Sequence, residues 1–253
     1  MYFDTHAHYD NGRFSPDRAK LLQSLPENGV TLVVNPGYDM ASSKRAVALA
    51  EEYPFLYAAV GVHPHDSKGM KAGDLEILEA LTKHPRVVAV GEMGLDYHYD
   101  HSPRDVQRAR FREQMELARK LALPAIVHQR EAAQDTLEIL AAYPDVSGVV
   151  HCFSGSLETA KRALDLGWYL GFTGVISYKN AVRSHEVIRY MPPERLVIET
   201  DAPYMAPEPY RGRRNSSLYL PYIAQTVGDL LGISSEEAAF LTMENGKRLF
   251  GLA

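Results

Sequence analysis

The chain has 253 residues, 45% of them hydrophobic and 23% charged, which suffices for one large α/β domain and excludes a disordered or low-complexity protein. Its formal charge of −5 argues against a broad basic surface for polyanions, although a local basic cluster still suits a small phosphate footprint. One cysteine, Cys152, excludes an internal disulfide; with no basic and apolar leader and no apolar run near the ~18 residues of a membrane span, the reading is cytoplasmic, without membrane insertion.

Short apolar runs alternate with longer amphipathic ones along the whole chain. The pattern predicts strands over 2–8, 31–35, 56–62, 87–92, 125–128, 146–151, 168–172 and 195–199. Helices are predicted over 17–25, 41–52, 75–83, 103–121, 132–142, 157–166 and 180–190, then over 218–231 and 235–250. Eight β/α units in this length fit a single-domain TIM-type (β/α)8 barrel better than an open doubly wound sheet. No Gly-rich phosphate loop of the Rossmann or Walker type is present, so no nucleotide cofactor is expected.

The first strand ends in Asp4-Thr5-His6-Ala7-His8. Residues i and i+2 of a strand share a face, so the two imidazoles converge on one point, as metal ligands do. Glu92, His128, His151 and Asp201 each close or follow a later apolar run, where barrel enzymes carry their chemistry. Four imidazoles and two carboxylates exceed the needs of one tetrahedral ion, which predicts two divalent ions. A carboxylate can span two ions and a neutral imidazole cannot, so Glu92 is the bridging candidate, with Gly91 and Gly94 leaving backbone room near an ion. A strand-end ion pair with an arginine is the structural alternative for Glu92, and a backbone-satisfied core histidine for His128 and His151. Asp201 is assigned to a metal and to proton transfer from its water; Glu199, on the same strand face, is an orienting carboxylate and the second candidate base.

His63 and His65 flank Pro64, which cannot donate to a ladder and places them in a loop, nearer to substrate than to metal. Arg211, Arg213 and Arg214 form a basic cluster after the eighth strand, suited to bidentate contacts with phosphate, with a solvated charge run as the alternative. His84, His98, His101 and His185 are read as surface residues.

Assembled in this order, the sequence resembles the TatD family of metal-dependent deoxyribonucleases, within the amidohydrolase-like barrel superfamily. The resemblance covers nearly the whole chain in ordered blocks: 4–8, 61–65, Gly91-Glu92-Met93-Gly94-Leu95-Asp96-Tyr97, Val127-His128-Gln129-Arg130-Glu131-Ala132, His151-Cys152-Phe153-Ser154-Gly155, 171–174 and Glu199-Thr200-Asp201-Ala202-Pro203-Tyr204. It implies His6, His8, Glu92 and Asp201 around one ion and Glu92, His128 and His151 around the other. Arg130, Tyr204 and Arg214 would join His63 and His65 at the substrate. The implied activity is hydrolysis of DNA phosphodiesters with 3′-to-5′ trimming, using Mg²⁺ or Mn²⁺, while the imidazoles also suit Zn²⁺. One departure stands out: Arg214-Asn215 is followed by Ser216-Ser217 where the family usually has Glu-Pro, and either serine could cap the next helix. Other readings are a zinc hydrolase of amides, esters or D-aminoacyl-tRNA on the same barrel, and a non-catalytic barrel that keeps metal and binds RNA or protein. Many relatives carry a carboxylated lysine where this chain has Glu92, and a purely structural site would not need Asp201.

Overall fold

Each strand hydrogen-bonds the next in chain order and all run parallel, giving a TIM-type (β/α)8 barrel; the computed structural model describes residues 1–252. The strands are β1 (Tyr2–Asp4), β2 (Val30–Pro36), β3 (Leu56–Val60), β4 (Val87–Asp96), β5 (Ala125–Arg130), β6 (Gly148–Val150), β7 (Tyr169–Phe172) and β8 (Leu196–Ile198). Between and after them lie α1 (Arg18–Ser24), α2 (Met40–Glu52), α3 (Asp74–Leu81), α4 (Arg104–Leu121), α5 (Ala133–Ala141), α6 (Leu157–Asp165), α7 (Val182–Tyr190), α8 (Leu220–Leu231) and α9 (Ser235–Phe250). Local chemistry sets several ends: Asp39 and Ser156 accept from backbone N–H groups in the first turns of α2 and α6, and Ser234 with Glu237 forms a capping box on α9. The predicted elements are all present, with ends displaced by a few residues. No helix among the described residues is long and apolar enough to cross a membrane.

Strand alternation builds the barrel in layers. Val33, Val127, Val150, Leu170 and Ile198 face the helices, whereas Val34, Ile126, Val149, Tyr169 and Val197 fill the interior with Met243, Leu249 and Phe250 of α9. Two residues beyond that inner apolar layer, on the same face, stand Thr5, His128, His151, Gly171 and Glu199. The polar layer therefore sits at the C-terminal end of the barrel, directly above a packed floor. Gly171 is required there, because a Cβ on it would lie 2.6 Å from a Glu199 carboxylate oxygen.

Three strands differ from their predicted extent in ways that matter. β1 stops at Asp4 because the backbone beyond it turns to close the barrel: Thr5 N donates to Ile198 O, Asp201 N to His6 O, and Ala7 bridges Ala202. β3 stops at Val60 because side chains take over the ladder, Ser43 Oγ accepting from Gly61 N and Gln114 pairing with both Val62 N and Val62 O. β4 runs four residues past Glu92, and two of its residues between Val90 and Met93, Gly91 and Glu92, stand opposite one of β5, Ile126, a bulge that turns the Glu92 side chain into the barrel. Gly91 and Gly94 have φ of +146° and +141° and make room for the backbone of β5, not for an ion: a Cβ would lie 2.6 Å from Ile126 O at the first and 2.0 Å from His128 O at the second.

Gly94→Ala is accordingly expected to lose at least about 3 kcal/mol of stability in urea unfolding. Gly12→Ala, with nothing within 4 Å of its Cβ, should stay within about 0.5 kcal/mol of the parent. Similar losses for the two would show that β5 does not constrain position 94.

Candidate metal centre

Glu92 is the hub. Its backbone N–H donates to Gly37 O, and its buried carboxylate has five imidazoles within 3.6 Å. The two oxygens divide them. Oε2 lies 3.3 Å from His6 Nε2 and 3.6 Å from His8 Nε2, while Oε1 lies 2.7 Å from His151 Nε2, 3.2 Å from His128 Nδ1 and 3.4 Å from His63 Nε2. Asp201 joins the first set, its Oδ1 3.5 Å from His8 Nε2 and 3.8 Å from His6 Nε2.

The histidine pair in each set has the spacing of two ligands on one ion. Two ligands about 2.0–2.1 Å from one ion at the tetrahedral angle stand about 3.3 Å apart. His6 Nε2 and His8 Nε2 are 3.1 Å apart, and His128 Nδ1 and His151 Nε2 are 3.2 Å apart. The outer ring nitrogens fix which atom faces the centre. His8 Nδ1 donates to Pro36 O, and His128 Nε2 donates to Asp96 Oδ2, leaving lone pairs on His8 Nε2 and His128 Nδ1. His151 turns Nδ1 toward Glu199 at 3.5 Å. His63 is different: its Nδ1 accepts from His65 N, so its Nε2 carries the proton toward Glu92 and offers no lone pair to an ion.

The carboxylates draw positive charge inward. Burial pushes Glu92 up, but His151, His63 and His6 around it hold it well below the usual carboxylate range. Burial likewise opposes charge on His8, yet its bond to Asp201 and the nearby Glu92 carry it up to about 9. An ion bound here displaces such protons from the imidazoles.

Asp96 is the participant that the residue patterns did not single out. Buried and two steps of strand alternation beyond Glu92, with Gly94 between, it accepts from His128 Nε2, His65 Nε2 and the backbone of His98 and Tyr99. The even spacing Glu92, Gly94, Asp96 on one strand face was the signal that could have found it. Burial raises its pKa, and the bonds from His128 and His65 outweigh that to hold the carboxylate well below its ordinary range.

Asp4 ties the two barrel ends that deliver His6 and Asp201. Fully buried, it accepts from His6 N, Thr200 N, Thr200 Oγ1 and Ser217 Oγ. Burial pushes it up to about 7 against those donors. Ser217 also exchanges hydrogen bonds with the Tyr9 hydroxyl. Neither Ser216 nor Ser217 caps a helix through its side chain; the expected cap is replaced by this buried link to Asp4.

A cavity of about 630 Å³ opens over the centre, and His8, His63, His65, Glu92, Asp96, Arg130, Asp201 and Tyr204 line it. Glu199 does not line it. That carboxylate sits behind His151, accepts from Cys152 N and approaches Thr5 Oγ1 at 3.5 Å. The arginine cluster does not line it either: Arg214 pairs with Asp17 at 2.6 Å, Arg211 lies over Tyr178 and Arg213 over Tyr210. Of the histidines read as surface residues, His98 and His101 are exposed, whereas His84 and His185 are half-buried, His185 Nε2 bonding to Ile176 O.

The family profile described as TatD related DNase matches residues 3–251. The uncharacterized metal-dependent hydrolase YabD of Bacillus subtilis is 42% identical over 252 residues, 99% of each chain. The 3′-5′ ssDNA/RNA exonuclease TatD of Citrobacter rodentium is 33% identical, covering 99% of this chain and 98% of its own. The crystal structure of YJJV, a TatD homologue from Escherichia coli, superposes with a TM-score of 0.93 at 33% identity, covering 100% of this chain and 98% of that one. The chain belongs to the TatD family of metal-dependent hydrolases.

Proposed function

We propose that this chain, acting as one catalytic unit, is a phosphodiesterase that trims nucleic acid from an end in the 3′-to-5′ direction with two divalent ions. The observation that carries the reading is the division of Glu92, one oxygen toward His6 and His8 and the other toward His128 and His151. The name of the Citrobacter rodentium relative, an exonuclease of single-stranded DNA and RNA, supports the substrate class. The single cysteine supports a cytoplasmic location.

His6, His8, Asp201 and Glu92 Oε2 would hold one ion, and Glu92 Oε1, His128 and His151 the other. Ions so held supply Lewis acidity, drawing the pKa of a water toward neutrality and neutralising charge on phosphate oxygens. The imidazole-rich donor set favours Mn²⁺ or Zn²⁺ over Mg²⁺, which prefers oxygen ligands. Asp201 is the base: its side chain is 13% exposed to the cavity, and with Oδ1 turned to the histidines, Oδ2 accepts the proton of the attacking water. Glu199, enclosed behind His151, orients that ring. His63 turns its Nε2 to Glu92 Oε1 at 3.4 Å and helps to hold the carboxylate by charge. Arg130 lines the cavity beside the second set and would meet phosphate oxygens, while His65, whose Nε2 donates to Asp96, lines the same wall.

Metal analysis of chelated and reloaded protein should give about two ions per chain. His6→Ala should lose one of them and regain activity in excess metal; Glu92→Ala should disturb both and regain none. One ion at saturation in the parent would remove the two-ion mechanism.

Asp201→Asn should retain most of its metal while kcat on a single-stranded oligonucleotide falls by about 10²–10⁴-fold. Near-normal turnover would place the base elsewhere. Asp96→Asn should weaken only the second ion, by about 10–100-fold in calorimetric affinity; equal weakening of both ions would make Asp96 a general scaffold residue.

A further inference from the structure

We propose that the cavity wall built by the loops after β6, β7 and β8 is a base-stacking subsite, in which Tyr204 and Met205 receive the flat face of the terminal nucleobase. This rests on the nuclease reading above and adds what the site does with the part of the substrate remote from the reacting phosphate.

Barrel order places those three loops side by side, and it places the loops after β3, β4 and β5 together on the other arc. The two arcs differ in chemistry. The β3–β5 arc brings His63, His65, Asp96, Arg130 and Tyr99, whose ring is already taken up by Arg130 and the stacked His101, whereas the β6–β8 arc brings Phe153, Val175, Ile176, Tyr204 and Met205. Apart from the centre's own His151 and Asp201, no charged side chain of the described residues lines that second arc. A phosphate drawn to the centre leaves its sugar and base inside the same cavity, whose volume falls within the roughly 300–1,000 Å³ typical of small-ligand sites. The π-face of a base is its least polar surface, so the apolar arc is where it loses least on leaving water.

Tyr204 and Met205 are 45% and 38% exposed, unlike Phe153 and Ile176, which belong to the core. They are nevertheless held in place. Tyr204 O accepts from Asn215 Nδ2 at 2.6 Å and its hydroxyl accepts from Asn11 Nδ2 at 3.3 Å. Met205 has the left-handed φ of +54°, and its carbonyl packs so closely on Gly174 that a Cβ there would lie 2.4 Å away. A large aromatic ring fixed at a cavity mouth by a strained neighbour is pre-organised for contact. Arg13 lies over the Tyr204 ring at 5.6 Å, adding positive charge beside the ring. The polar side chains lining this arc are chiefly hydroxyls, of exposed Ser154 and of buried Thr173 and Ser184. A hydroxyl both donates and accepts, so the subsite grips a base without choosing among bases.

The test compares binding of a deoxynucleoside monophosphate with deoxyribose 5-phosphate to the metal-loaded protein by calorimetry, and so does not depend on cleavage. The parent should prefer each nucleotide by about 5- to 150-fold, the range of one base–aromatic stack. Tyr204→Ala should erase most of that preference, Tyr204→Phe should keep it, and purine and pyrimidine should differ little. A parent without the preference overturns the proposal, as does Tyr204→Phe losing as much as Tyr204→Ala, which would assign the effect to the hydroxyl and Asn11. Cleavage of single-stranded oligonucleotides ending in a normal or an abasic residue separates this from the nuclease reading. No cleavage of either by the parent, with the binding preference intact, would remove the nuclease reading and leave the subsite. Cleavage of both with equal kcat/KM in parent and Tyr204→Ala would remove the subsite and leave the nuclease.

Discussion

A carboxylate buried among imidazoles is the constraint on which the rest of the architecture depends. Removing an ionised carboxylate from water costs several kcal/mol even after relaxation, and only nearby positive charge or strong donors offset it. Glu92 meets that condition with imidazoles drawn from β5, from the turns after β1 and β6, and from the loop after β3. The same arrangement that makes the burial tolerable makes the place attractive to divalent cations, since each is a response to the same negative charge. The neighbours then divide into groups with a lone pair aimed inward, such as His8 and His128, and one with a proton aimed inward, His63.

The strand pattern explains how a chain can aim so many polar groups at one point without spoiling its core. Ile126 and His128, Val149 and His151, Val197 and Glu199 are pairs on one strand face, the lower member apolar and the upper polar. Two departures complete the layer. Gly171 removes a side chain so that Glu199 can lie inside the barrel, and the bulge before Met93 turns Glu92 inward after a run whose alternation would otherwise drift.

This layering is why the sequence was so informative about the barrel and the clustering of His6, His8, Glu92, His128, His151 and Asp201: period-two alternation and strand ends are local properties. Other features depend on contacts that no local pattern carries. Arg214 reads as a phosphate ligand until Asp17, nearly two hundred positions away, is seen to hold it. Ser217 reads as a cap until the fold brings Asp4 and Tyr9 against it. Asp96 was legible in principle, because it shares the Glu92 face, but only once β4 is known to continue past Glu92; ending the strand at its first charged residue hid it.

The candidate ligands also come from chain segments remote in sequence, so an ion at the centre would join the start of the chain to the segment after its last strand. Binding to the folded state alone stabilises it, by about 2.7 kcal/mol at a hundred times the dissociation constant. The barrel interior from Phe3 to Phe250 is packed without the centre's help. The stabilisation therefore falls on the upper layer and its loops, where Asp201 and Met205 already hold left-handed backbone. Tyr204 N donates to Asp201 O, so an ion that fixed the Asp201 carboxylate would also steady the exposed ring three positions further on.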